Sequence, residues 1–170
     1  MQTYLVDKLG SESSRERHAA VFSLQWFPAD FALPRYLEAI SGPDINAWSE
    51  AATHLALLWH RLNKLEASYL LSVQGALDKR LRNGSEGLWA NSLGTMAHLG
   101  SKEALRLLAA RPIDPEGKWG TEVDHQDCFN AATGLKLSRK EQAQWIRQNF
   151  DRIYYDVKQK KFLLRETDRK

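Results

Sequence analysis

Along most of this chain apolar residues recur three and four apart, in pairs of stretches separated by Gly, Pro, Asn and Ser, and after Asn149 that period stops. A spacing of this kind puts the apolar side chains on one stripe of a helix, which must be buried against another element. A first helix is expected from Ser11–Ser14, where a serine oxygen can cap free amides, through Ala20, Val21, Leu24 and Phe27, until Pro28 interrupts it. A second begins near Asp30 with Phe31, Leu33, Leu37 and Ile40 inward. Pro34 is tolerable there if it lies in the first turn, where an amide hydrogen is not needed.

The pairing then repeats with looser lengths. Ile45 to Leu62 reads as a helix with Ala47, Trp48, Ala51, Ala52, Leu55, Leu58 and Trp59 inward, and Leu65 to Leu81 as its partner, ended by Asn83-Gly84. Ser85 is expected to cap a third pair, Glu86 to Leu99 and Ala104 to Ala110, with Gly100 terminating one helix and Ser101 capping the next. The fourth runs from Asp124 through Gly134 and from Ser138 to Asn149. Ala20 with Leu24, Ala51 with Leu55, and Trp89 with Leu93 mark the first helix of three pairs, at intervals of about one helical hairpin. A hairpin cannot bury its apolar face alone, so neighbours must stack. An irregular helical bundle built on the same pairs is the alternative architecture. In the tail, Ile153, Tyr155 and Val157 alternate, as do Phe162 and Leu164, with Lys158-Gln159-Lys160 between them; this predicts a β-hairpin over the last helix pair.

The 170 residues, 43% hydrophobic and 26% charged, suffice for one domain. No apolar run approaches the roughly 18 residues needed to span a bilayer, and Met1 to Gly10 has neither an extended apolar core nor a small-residue cleavage site, so a cytosolic protein is expected. A single cysteine, Cys128, agrees with a reducing compartment. The net charge of +3 arises from nearly balanced totals, 24 bases and 21 acids, where a phosphate-gripping protein would carry a denser basic stripe.

Asp124-His125-Gln126-Asp127-Cys128 places a His and a Cys three apart on one helix face, but no second His or Cys pair stands at ligand spacing, so these read as structural residues at a helix start. No orienting partner or oxyanion donor completes them as a nucleophile site. Gly84 to Gly87 lacks the lysine and spacing of a phosphate loop, and the carboxylates Glu38, Glu50, Glu66 and Glu103 are scattered. No enzyme, metal or cofactor is expected. Of the six tryptophans, Trp26, Trp48, Trp59 and Trp89 fall at or near stripe positions and are assigned to the core. Trp119 lies instead in a polar loop, Arg111 to Glu122, with two prolines and two glycines; it either folds back onto the helices or anchors a partner, with Lys118 and Glu122 beside it.

Arg17-His18-Ala19-Ala20-Val21-Phe22-Ser23-Leu24 and the stretch from Ala90 through Gly94, Gly100 and Ala104-Leu105 resemble HEAT-type repeats. Ala131 to Gly134, Trp145 to Asn149, Ile153 to Asp156 and Lys161-Phe162 look like the end of some bacterial HEAT-repeat proteins. The second pair is longer than the others, and Arg111 to Val123 has no repeat character.

This resemblance implies an all-α, right-handed α-solenoid of about four HEAT-like hairpins in a single domain, 1–170, with residues 149–166 as a C-terminal β-hairpin cap. It also implies a non-catalytic protein-binding module. Among similar bacterial proteins are immunity proteins, including those of contact-dependent inhibition, that neutralise a toxin by stoichiometric binding. The second helices are expected to line the concave side, where Arg35, Lys64, Lys102, Arg106 and Arg147 mix with Glu38, Glu66 and Glu103. The expected partner-binding residues are Trp119, Lys118, Glu122, Arg106, Lys102 and Arg147. The alternatives are a HEAT-like nucleic-acid-binding or DNA base-repair protein and a scaffold subunit of a larger assembly.

Overall fold

The computed structural model describes residues 2–60, 62, 65–84, 88–111 and 122–166, of which 122 and 123 by backbone alone. The chain is mostly helical: among the described residues, nine α-helices precede one small antiparallel sheet. They are α1 (Gln2–Leu9), α2 (Ser14–Ser23), α3 (Ala29–Ser41), α4 (Ile45–His60), α5 (Ala67–Asn83), α6 (Ala90–His98), α7 (Lys102–Ala110), α8 (Glu122–Thr133) and α9 (Arg139–Asn149), followed by β1 (Ile153–Asp156) and β2 (Lys161–Leu164). None of the described helices is long and apolar enough to cross a membrane.

Local chemistry sets most of the boundaries. The Ser13 hydroxyl accepts from the Glu16 amide at the start of α2, and Asp44 accepts from the Asn46 (3.0 Å) and Ala47 (3.4 Å) amides at the start of α4. At α9, Ser138 and Glu141 form a reciprocal capping box, and the hydrogen bonds from Ser138 lower the Glu141 pKa. Gly100 ends α6 at φ +92°, a conformation that L side chains rarely adopt. Its amide donates to the Ala97 carbonyl at 2.8 Å and that of Ser101 reaches Met96 at 3.1 Å, which satisfies two carbonyls at the helix end.

Three boundaries differ from expectation. Residues 2–9 form a helix, seated by buried Leu5, where no element was expected. Helix α3 starts at Ala29, so Pro34 lies beyond its first turn and the Asp30 carbonyl loses its usual amide donor four residues on. Helix α6 starts only at Ala90, with Trp89 extended before it; the expected cap, Ser85, lies outside the described residues.

Helices two places apart in the chain pack on each other. α2 lies against α4, α4 against α6 and α6 against α8; likewise α3 against α5, α5 against α7 and α7 against α9. The contacts Ser14 to Asn46, His18 to Glu50 and Phe22 to His54 keep one offset along α2 and α4, so these two helices run parallel. The core between the two sets of helices is continuous, from Val21, Leu24 and Tyr36 through Trp48, Leu55 and Leu77 to Leu93, Leu105 and Phe129. Small residues let the helices approach closely. A Cβ on Gly94 of α6 would stand 2.6 Å from the Cys128 sulfur of α8.

The α8–α9 connection is held by buried Gln142, whose amide donates to the Gln126 carbonyl (3.0 Å) and Asn130 Oδ1 (3.1 Å). The β-hairpin pairs Ile153 with Leu164 and Tyr155 with Phe162. It reaches further than the last helix pair. Phe162 is buried and β2 lies on α8, while the Tyr155 hydroxyl donates to the His98 carbonyl of α6 (2.6 Å) and accepts from the Trp59 indole of α4 (3.1 Å). Lys160 donates to the Trp59 carbonyl at 2.6 Å.

Candidate functional site

The expected partner-binding residues are only partly assembled. Lys118 and Trp119 lie outside the described residues, as does Lys64; Glu122 opens α8, with only its backbone described. Lys102, Arg106 and Arg147 do fall on packed helices, α7 and α9. Lys102 Nζ sits 4.7 Å from the ring centroid of Phe150, just past the end of α9, so it stands near the turn that carries exposed Arg147. Arg106 donates to Glu103 at 2.6 Å, and Arg82 approaches the same carboxylate at 3.9 Å. Arg35 is engaged elsewhere, stacked 3.7 Å over Phe31.

The charge mixture expected on this side is less even than the sequence alone implies. Helices α5, α7 and α9 carry eight Lys or Arg against three acids, Asp78, Glu103 and Glu141. Two of these acids are withdrawn from the surface. Glu103 is buried beneath Arg82 and Arg106, and Asp78 accepts from the Ser101 hydroxyl (2.5 Å) and the Glu103 amide (3.1 Å). Burial pushes the Asp78 carboxyl above its ordinary range, against the opposing pull of those hydrogen bonds. On α5, α7 and α9 bases therefore outnumber acids at the surface, while Glu38 of α3 and Glu66 just before α5 remain exposed.

The other set of helices differs. Trp26, assigned by the sequence to the inward stripe or its neighbourhood, stands outside it beside Phe22: Trp26 is 68% and Phe22 44% exposed, their rings edge to face at 5.2 Å. Trp89 is also exposed, while Trp48 and Trp59 are buried as expected. Leu57 of α4, 38% exposed, continues the patch. Beside it, between α4 and α6, opens a cavity of about 560 Å³ lined by Thr53, His54, Leu57, His60, Thr95 and His98. His54 links cavity and patch, since its ring stacks on buried Tyr36 (5.8 Å) and meets the edge of Phe22 (5.7 Å). Glu50 bridges two histidines: its carboxylate lies 3.2 Å from His18 Nε2 and 2.9 Å from His54 Nε2, the latter without hydrogen-bond alignment. His60 donates through Nε2 to the His98 carbonyl (2.7 Å), and burial, followed by the proximity of His60, lowers the His98 pKa.

A signal for this patch was present in the sequence. Phe22 and Trp26 are four apart, hence on one side of a helix, but off the line through Ala20, Leu24 and Phe27.

A second cavity, about 650 Å³, lies among α1, α2 and α3. Among its polar groups, Arg17 is paired with Asp44 (2.8 Å) and with the Ser11 carbonyl (2.6 Å). His125 is buried, and Cys128 is partly buried with its thiol pKa pushed up by burial and by Asp124 and Asp127, which disfavours the thiolate. Among the described residues no group of three or more His, Cys, Asp or Glu is placed to hold a metal ion.

The chain matches no family model, and no curated protein or solved structure resembles it significantly.

Proposed function

We propose that this protein is a non-catalytic protein-binding module, a cytosolic immunity-type protein that neutralises a partner bacterial toxin by one-to-one occlusion. In this reading the two sets of helices are the layers of a right-handed α-solenoid of about four HEAT-like hairpins, capped by the β-hairpin. Packing between helices two places apart supports that architecture. The observation that carries the binding function is the exposed patch of Phe22, Trp26 and Leu57 beside a cavity, on helices whose opposite faces are core. Large exposed aromatics held on rigid elements are the usual anchors of protein interfaces. The toxin assignment rests on the resemblance quoted from the sequence.

The test is affinity capture with the full chain as bait in its native host, including any product of the gene immediately upstream. A one-to-one partner whose activity stops at one equivalent is the expected result. Retention of no protein, or a partner that stays active when saturated, would sink the reading.

The basic excess on α5, α7 and α9 favours a second reading, nucleic-acid binding by that face. Duplex DNA affinity that falls steeply with salt would establish it, and absence of binding at low salt would remove it.

A further inference from the structure

The face that bears the aromatic patch has a charge opposite to that of the chain. Helices α2, α4, α6 and α8 carry five acids against two bases, Arg15 and Arg17 of α2, the latter paired with Asp44, although the chain as a whole is +3. The described walls of the cavity hold no Lys, Arg, Asp or Glu, and their ionisable groups are His54, His60 and His98. Glu50 and Asp127 supply negative charge on this side, Asp127 exposed and Glu50 part-exposed next to His54. The excess bases lie on α5, α7 and α9, in the other set of helices.

Resting on the protein-binding reading above, we propose that this face docks a basic protein surface: a Lys or Arg of the partner lies across Trp26 and Phe22 toward Glu50, while an uncharged apolar side chain beside it enters the cavity between α4 and α6. Each part follows from a contact. An indole exposed to 68% offers a ring face to a guanidinium or ammonium, which the ring quadrupole attracts. The Phe22 ring meets His54, and His54 meets Glu50, so the carboxylate stands one side chain behind the aromatic pair. Leu57 and Ala56 give the cavity an apolar wall, and burial lowers the His98 pKa, which favours its neutral form. Complementary charge at the rim then favours encounter and register with a basic partner, and an acidic surface is disfavoured. A partner of this chemistry is one whose own ligand is a polyanion, because such proteins collect Lys and Arg on the surface they use. Binding here would cover that surface.

The experiment selects a displayed library of random peptides on the immobilised full chain, then measures the enriched peptides against Trp26→Ala and Thr53→Lys. Thr53 is an exposed residue of the cavity wall, so its replacement by Lys adds a repelling charge with little disturbance of the core. Expected are peptides that pair Lys or Arg with an aromatic or aliphatic residue, binding each variant about tenfold to thirtyfold more weakly, while Leu71→Ala on α5 binds as wild type. Matching thermal melts confirm that the variants fold. Enrichment of acidic peptides, no enrichment, or peptides that bind the variants unchanged would overturn the proposal. The broader reading fails separately: if affinity capture yields a one-to-one partner that Trp26→Ala and Thr53→Lys still hold at full affinity, only this face is wrong; if it yields no protein, the binding reading itself falls.

Discussion

Helices α2, α4 and α6 and helices α5, α7 and α9 are built by the same local rules, an apolar stripe and a cap at the start of most of them, yet their exteriors are opposites. The former present aromatic, hydroxyl and imidazole groups around a cavity without Lys, Arg, Asp or Glu in its described walls; the latter present bases, with Glu103 buried beneath two of them and Asp78 bonded to Ser101. A net charge of +3 therefore conceals two surfaces suited to different partners. Local sequence decides that a helix forms and which stripe it buries, whereas stacking decides which of the remaining residues meet solvent together.

The turn that joins these two groups of helices is the most sensitive place to break the arrangement. Gly100 lies between α6 and α7, and a Cβ there would stand 2.1 Å from Gln74 Nε2 and 2.8 Å from the Tyr155 ring, at a positive φ. Gly100→Ala adds overpacking of about 1–3 kcal/mol to a left-handed strain of about 1–2 kcal/mol. We expect a loss of about 2–5 kcal/mol by urea unfolding. A loss below about 1 kcal/mol would show that Gln74 and the hairpin yield, and that the turn does not fix the two groups against each other.

Within the aromatic-bearing set, the α6–α8 contact is the test of close packing. Gly94→Ala gains up to about 1 kcal/mol in helix propensity but places a methyl 2.6 Å from the Cys128 sulfur and 2.9 Å from its Cβ. A net loss of about 1–2 kcal/mol is expected, with partial recovery in the double variant Gly94→Ala/Cys128→Ala, where the sulfur is gone. Stabilisation by Gly94→Ala would mean that α6 and α8 sit further apart than this contact implies.

These positions show what could be read in advance. Gly100, the Ser101 cap, the helix start at Ser138 and the tail hairpin were legible because each depends on residues within a few positions of one another. The outward turn of Trp26 was legible in its spacing from Phe22, off the buried stripe, but that of Trp89 was not, since periodicity locates a stripe but not which large residue at its margin a neighbouring helix will cover. Pro34 was misplaced because α3 starts at Ala29, with its first turn ahead of the proline. Of the six residues chosen for partner binding, Lys102, Arg106 and Arg147 lie on α7 and α9, which pack together, but the withdrawal of Glu103 and Asp78 depends on packing between α5 and α7, which no local pattern encodes.

The basic set can be probed through that withdrawn acid. Burial raises the Asp78 pKa above its ordinary value of 3.8, so the unfolded chain releases this proton at lower pH than the folded protein does. The site is therefore least costly to folding below 3.8, and its cost grows as pH rises through that value, reaching its full size above the folded pKa. Relative to Asp78→Asn, which carries no titrating group, wild type should lose ground between acid and neutral pH in paired urea titrations. A gain at neutral pH would mean that the bonds from Ser101 and the Glu103 amide outweigh burial, and that the carboxylate is a stabilising cap.

The smallest expected effect on stability separates the two surfaces most directly. Trp26 is exposed and leaves the core intact when truncated, so Trp26→Ala should change unfolding free energy by less than about 0.5 kcal/mol, as should Arg147→Ala, since Arg147 is exposed on α9. Their binding phenotypes should diverge. If the aromatic face is the protein-binding one, Trp26→Ala weakens capture of a protein partner and leaves any nucleic-acid affinity unchanged, whereas Arg147→Ala does the reverse and lowers the salt dependence by about one ion. Loss of the same ligand in both variants would mean that one partner spans both surfaces, and the division between them would then describe how the protein folds but not how it binds.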